Sequence, residues 1–152
     1  MEICIPVTYE IGIKIKLLKE NSVLPEKATK GSACYDVVAT SYNYNCMLGL
    51  HEYGLGFATE IPEGYEGAIR PRSSISKVNA VIMNSPGTVD FDYTGEWIVK
   101  FKKLSETIYA PYKIGERIAQ ITFQKTLPIT FITVENLTDT ERGDGGFGST
   151  NN

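Results

Sequence analysis

Asp90 and Asp92 lie two residues apart in the stretch Asn84-Ser85-Pro86-Gly87-Thr88-Val89-Asp90-Phe91-Asp92-Tyr93-Thr94-Gly95. If that stretch is extended, alternation of side chains puts both carboxylates on one face. They are then candidates for a general base and a partner of metal-bound water. Glycines near both ends suggest a hairpin, so turn aspartates on a solvated hairpin account for the same residues. The single histidine, His51, sits among Leu50, Glu52 and Tyr53 with no nucleophile motif beside it and reads as a surface or strand histidine. Zinc sites of His and Cys, paired-histidine catalysis and a Ser-His-Asp triad therefore find no support, and acid–base work falls to carboxylates.

Four further segments carry groups suited to an anion. Residues 142–152 (RGDGGFGSTNN) combine glycines that let N–H groups converge on phosphate with Arg142, a bidentate donor, and Phe147, a ring able to stack on a base. The same composition also describes a disordered polar tail, and Arg142-Gly143-Asp144 matches an adhesion tripeptide that arises often by chance. Pro71-Arg72-Ser73-Ser74 offers a guanidinium, two hydroxyls and a helix start, although Ser-Ser there would also serve as an ordinary N-cap. In Gly115-Glu116-Arg117-Ile118-Ala119-Gln120, Gln120 reads alone as an ordinary polar strand residue. In Gly31-Ser32-Ala33-Cys34-Tyr35-Asp36, small residues allow backbones to approach, and Asp36 is a candidate outer carboxylate.

The elements that must position these groups are β-strands. Residues 13–17 alternate apolar and polar, and 98–104 do so less strictly. Short strands are also predicted over 34–39, 42–50, 55–60, 66–70, 80–83, 117–123 and 129–134, with Gly and Pro turn signals between them. No segment keeps a helical period over 10–12 positions, so at most one short helix is expected, after Ser73-Ser74. The expectation is an all-β jelly roll or barrel over residues 1–141, followed by a flexible glycine-rich arm over 142–152.

At 152 residues the chain suits one domain with a sizeable core, and a net charge of -3 argues against a nucleic-acid polymer as ligand. No apolar run reaches the ~20 residues of a membrane span, and residues 1–7 lack the features of a signal peptide. Three cysteines, Cys4, Cys34 and Cys46, in no metal-ligand spacing fit free thiols in a reducing compartment. The expected location is cytoplasmic, or nuclear for a eukaryotic or viral protein.

Five of these segments, in this order and spacing, resemble the five motifs of the trimeric dUTPase family: GSACYD, PRSSIS, NSPGTVDFDYTGEW, GERIAQ and RGDGGFGST. The similarity runs from about Ile13 to Thr150, leaving only about ten N-terminal residues outside. The resemblance implies a distorted jelly roll of the β-clip type, assembled as a homotrimer with each active site built from three subunits. It implies hydrolysis of dUTP to dUMP and pyrophosphate, which limits uracil incorporation into DNA and supplies dUMP for thymidylate synthesis. Asp90 matches the catalytic base that prepares water for attack at the α-phosphorus. Backbone groups of the third motif, at Asn84, Gly87 and Val89, match the uracil site. Cytosine reverses two of those hydrogen-bonding positions, and unpaired buried groups give discrimination of ~10⁴–10⁵. Tyr93 matches the ring under the deoxyribose that leaves no room for a 2′-hydroxyl. Arg72, Ser73, Ser74 and Gln120 match phosphate contacts, while Arg142, Phe147, Gly148 and Ser149 match the arm that closes over the nucleotide. Mg²⁺ would be held by phosphates and waters, with Asp36 touching it only through water.

Cys34, Ile75-Ser76, Trp97 and Asn151 depart from the usual pattern, Trp97 being bulkier than the common small aliphatic. None removes a catalytic group. A dCTP deaminase would share the fold, but Lys100 stands where that family carries its catalytic glutamate, and lysine does not relay protons in that role. A non-catalytic binding module would not need Asp90, Tyr93 and Phe147 in register with phosphate donors.

Overall fold

Short β-branched and aromatic runs broken by Gly and Pro have no helical stripe to bury, so the chain pairs strand with strand. The computed structural model describes residues 10–105 and 108–146. Its strands are β1 (Lys14–Leu17), β2 (Tyr35–Val38), β3 (Ser41–Asn45), β4 (Leu50–Gly54), β5 (Phe57–Glu60), β6 (Tyr65–Arg70), β7 (Ala80–Ile82), β8 (Gly87–Val89), β9 (Ile98–Lys103) and β10 (Arg117–Lys125). One five-residue 3-10 helix, Ser73–Lys77, follows β6. β1 pairs with β5, while two four-stranded sheets run β2-β10-β6-β8 and β3-β4-β9-β7, every pairing antiparallel. The sheets do not close on themselves, giving the expected distorted jelly roll.

Both four-stranded sheets contribute to one core. Val37, Ile118 and Ile121 come from one, Tyr53, Ile82, Val99 and Phe101 from the other. Phe101 is fully buried, edge-on to Tyr53 at a centroid distance of 5.7 Å. The Tyr53 hydroxyl donates to Tyr112 O (2.8 Å) and accepts from Tyr112 N (3.1 Å), closing the core under the loop before β10. Trp97, which is bulky for its position, finds room above Gly67, where any side chain would strike its ring. Its Nε1–H donates to Thr59 Oγ1 at 3.1 Å, so the buried indole keeps no unpaired donor.

Three expectations change. The run 42–50 is a hairpin, because Gly49 at φ +62° turns the chain between β3 and β4. The run 129–134 forms no strand, and residues 126–144 are exposed throughout. Its residues are β-branched and aromatic, but a strand needs a ladder partner for its N–H and C=O groups. The stretch 87–95 is not an extended ladder: β8 pairs with β6, and Tyr93 N–H donates to Asp90 O at 3.1 Å. That turn takes Asp92 off the face it would share with Asp90 in a strand.

His51 lies in β4 only 1% exposed, with Tyr42 Oη 3.0 Å from its Nδ1. Burial first, then Lys103 and Lys102, pushes its imidazole below the usual 6.5. The folded state thus holds the ring neutral while the unfolded chain takes a proton more readily. The contribution is complete above pH 6.5 and is lost as pH falls. Melting curves from pH 7.5 to 5 should show the wild type losing stability more steeply than His51→Gln; parallel slopes would remove this role.

Candidate active site

The pairing of β10 with both neighbours aligns three polar residues in a row. Gln120 is opposite Asp36 of β2 on one side and Arg70 of β6 on the other. Two residues beyond Arg70, the Arg72 guanidinium grips Asp36 bidentately, Nε to Oδ1 at 2.9 Å and Nη2 to Oδ2 at 3.2 Å. Arg72 Nη1 also donates to Arg117 O at 3.2 Å. The ladder shifts register between Arg117 and Ala119, and this bulge lets Arg117 reach the same carboxylate, Nη1 to Oδ2 at 3.2 Å. Gln120 Nε2 donates to Pro71 O at 2.8 Å, tying the segment that carries Arg72 to the sheet.

Two guanidiniums around one carboxylate leave one net positive charge. The Asp36 side chain is 11% exposed against 28% for Arg72 and 57% for Arg117, so the carboxylate lies inside and the cations face solvent. Arg72 uses three of its five N–H groups on protein and keeps two for a ligand. Fixed, outward-facing guanidinium donors suit a phosphate chain. Ser73 and Ser74 follow Arg72 directly and open the 3-10 helix. Arg72, not a serine, occupies the N-cap position, and no side chain caps the helix. The N-cap account of Ser-Ser is thus not realised. A 3-10 helix this short contributes little dipole, so the cradle rests on guanidiniums and hydroxyls.

The third segment builds a different surface. Gly87 is opposite Ile69, and a side chain there would crowd Asn84 O and the Ile69 Cβ. Val89 buries its side chain in the core, leaving only its backbone to a ligand. Asp90 follows as an exposed carboxylate. The Tyr93 ring folds over Gly95, where an added Cβ would lie 2.6 Å from its hydroxyl, and its O–H donates to Glu96 O at 2.9 Å. Tyr93 as a whole residue is 45% exposed, so it is accessible to a ligand.

Within one chain the two surfaces are apart. β8 runs antiparallel to β6 and Val89 is opposite Gly67, so Asp90 lies beyond Gly67, away from Arg70. Four strand positions correspond to about 13 Å at ~3.3 Å per residue. Arg142 turns back on its own segment, Nε to Gly145 O at 2.9 Å, rather than onto the cradle. Phe147, Gly148 and Ser149 lie outside the described residues.

Arg117 is the group that sequence reasoning missed. Its only early signal is its place three residues before Gln120, an odd offset that an unbroken strand would put on the opposite face. Lys100 lies in the other sheet, paired with Glu52 at 3.1 Å. Among the described residues no three His, Cys, Asp or Glu gather as a metal site, and no helix is long and apolar enough to cross a membrane.

Comparison with known proteins gives the family. Residues 20–151 match the family described as dUTPase. The deoxyuridine 5'-triphosphate nucleotidohydrolase of Hydrogenobaculum sp. is 40% identical over 142 residues, covering 90% of this chain and 95% of its own. That of Helicobacter pylori (strain Shi470) is also 40% identical over 142 residues, covering 91% and 95%. A mutant Staphylococcus bacteriophage 80alpha dUTPase solved with dUpNHpp superposes with a TM-score of 0.74 at 25% identity, covering 91% of this chain and 98% of that one. On this breadth of match, the chain belongs to the dUTPase family.

Proposed function

We propose that this protein hydrolyses dUTP to dUMP and pyrophosphate, as its relatives are named to do, and that Asp90 is the general base. The carrying observation is the cradle around Asp36, two guanidiniums on one carboxylate with donors left over for a polyphosphate. Asp90 takes a proton from water, whose oxygen bonds the α-phosphorus as the bond to the bridging oxygen breaks and pyrophosphate leaves. Such chemistry needs positioning and charge stabilisation more than covalent help. Arg72, Ser73, Ser74 and Gln120 hold the phosphates in this reading, and Arg117 joins them. Asn84, Gly87 and Val89 present backbone groups to uracil, and the Tyr93 ring lies under deoxyribose.

Mg²⁺ fits as a partner of the substrate. A phage phi11 dUTPase of S. aureus is described for its coordination of a structural Mg(II) ion. Here both Asp36 oxygens already accept from guanidiniums, so Asp36 suits an outer, water-mediated contact. The ion would neutralise phosphate charge. Binding, orientation and proton transfer fall to the residues above.

We read the working unit as a homotrimer, cytoplasmic, with shared sites. The separation of Asp90 from Arg72 along the sheet supports this, because a base beside the α-phosphorus then comes from another copy. Leu127, Ile129, Phe131, Ile132, Val134 and Leu137 supply further support, since all are 59–87% exposed except Phe131 at 94%. A groove of about 700 Å³, lined by Ile11, Ile15, Tyr35 and Phe123 together with Glu10 and Lys27, offers a second copy a surface of mixed polarity. Residues 142–152 then form the arm that closes over the nucleotide.

Asp90→Asn should lower turnover about 10²–10⁴-fold with dUTP binding largely kept, and unchanged turnover would take Asp90 out of the mechanism. Deleting residues 142–152 should cut activity sharply while the melting temperature stays near that of the full chain; a large thermal loss would make the segment structural. Tyr93→Ala should raise activity on UTP relative to dUTP, and an unaltered ratio would reject the sugar-gate role.

A further inference from the structure

Glu96 follows Gly95 and comes just before the core residue Trp97. Its backbone carbonyl accepts the Tyr93 hydroxyl at 2.9 Å, so wherever Glu96 goes the ring follows. Its carboxylate reaches across to the turn between β4 and β5, where Oε1 accepts Gly56 N–H at 2.9 Å. The same oxygen accepts Lys19 Nζ at 2.6 Å, and that ammonium also donates to Ser41 Oγ at 2.8 Å. The pair lodges directly over Gly54, where any side chain would collide with Glu96 Oε1. Trp97 N–H donates to Phe57 O (3.0 Å) and Leu55 N–H to Trp97 O (2.9 Å), so the C-terminal side of Glu96 is held by the backbone. On its N-terminal side the turn bearing Tyr93 is exposed from Asp90 to Thr94. The side-chain anchor therefore adds a second hold, at the Cα end of the peptide whose N–H end Phe57 O already fixes, on the side of the exposed turn.

We propose that Lys19 and Glu96 are positioning residues for sugar selection: their ion pair fixes the Cα end of the peptide that carries the Glu96 carbonyl, and through it the Tyr93 ring, in the posture that excludes a 2′-hydroxyl. The inference rests on the reading of Tyr93 given above. Neither residue touches substrate. The Glu96 carbonyl shares a planar peptide with Trp97 N–H, which bonds Phe57 O, and the side-chain bonds at Gly56 and Lys19 fix the Cα end of that plane; without them the plane can tilt and carry the ring aside for a ribonucleotide. The two side chains are 33% and 27% exposed, so the anchor is partly open to salt.

The ratio of kcat/KM for dUTP to that for UTP is the decisive measurement, because both substrates carry the same triphosphate and general effects on phosphate binding cancel. Lys19→Met and Glu96→Gln should each lower that ratio about threefold to tenfold, Lys19→Arg should restore it to within about twofold, and the double variant should lose little more than either single one. In 1 M NaCl the wild-type ratio should drop towards that of Lys19→Met, whose own ratio stays flat. If Glu96→Gln fails to fold, Lys19→Met decides alone, since it leaves the Glu96–Gly56 bond in place. Unchanged ratios in Lys19→Met and Glu96→Gln, alongside a lowered ratio in Tyr93→Ala, would make the pair merely structural and overturn the proposal. An unchanged ratio in Tyr93→Ala would instead remove the sugar-gate reading and the proposal with it.

Discussion

Strand β10 is hydrogen-bonded along both edges, to β2 on one side and to β6 on the other, and this double pairing sets where the charged groups of the cradle lie. A slip of one residue would send Gln120 to the opposite face and break its bond to Pro71. Ile118, Ala119 and Ile121 resist such a slip, each being at most 1% exposed. Apolar burial thus fixes the register, and the register places Asp36 and Gln120 where Arg72 can meet them. The bulge before Ala119 is the one local departure, and it brings Arg117 to the carboxylate.

Asp36 turns that alignment into a candidate binding surface. A carboxylate this far from water is costly unless paired, and here it is paired twice. Removing it would leave two cations facing each other; keeping it presents them outward at a fixed angle. In the proposed reaction, donors arranged before substrate arrives need no reorganisation when charge shifts among the phosphate oxygens. The Lys19–Glu96 pair works in a similar way over Gly54 of the other four-stranded sheet. It is a charge contact that bonds no ligand in this account and instead fixes the posture of a side chain that does.

The strands were largely legible because period-two alternation and turn residues act locally. The strands Tyr35–Val38, Tyr65–Arg70 and Ile98–Lys103 fall on the runs expected over 34–39, 66–70 and 98–104. The boundary at Gly49 was missed because 42–50 reads as unbroken strand until a left-handed glycine turns it. The segment 129–134 was misread for a different reason. Its composition is that of a strand, but composition reports what a chain prefers, and pairing depends on a neighbour that its own fold does not supply.

By itself the sequence determined the chemistry on offer: one histidine, carboxylates at 36 and 90, Arg72 beside two hydroxyls, and a glycine-rich end, all in the order of a single family. Tertiary structure alone decided which of these meet. Asp36 and Arg72 are 36 residues apart and Asp36 and Arg117 are 81 apart, so no local pattern announces their contact. It decided too that Asp90 leaves the sheet at a turn away from Arg72, and that Glu96 reaches Lys19 across 77 residues. Side-chain type is written residue by residue, whereas proximity comes from strand register and core packing, which depend on the whole chain at once.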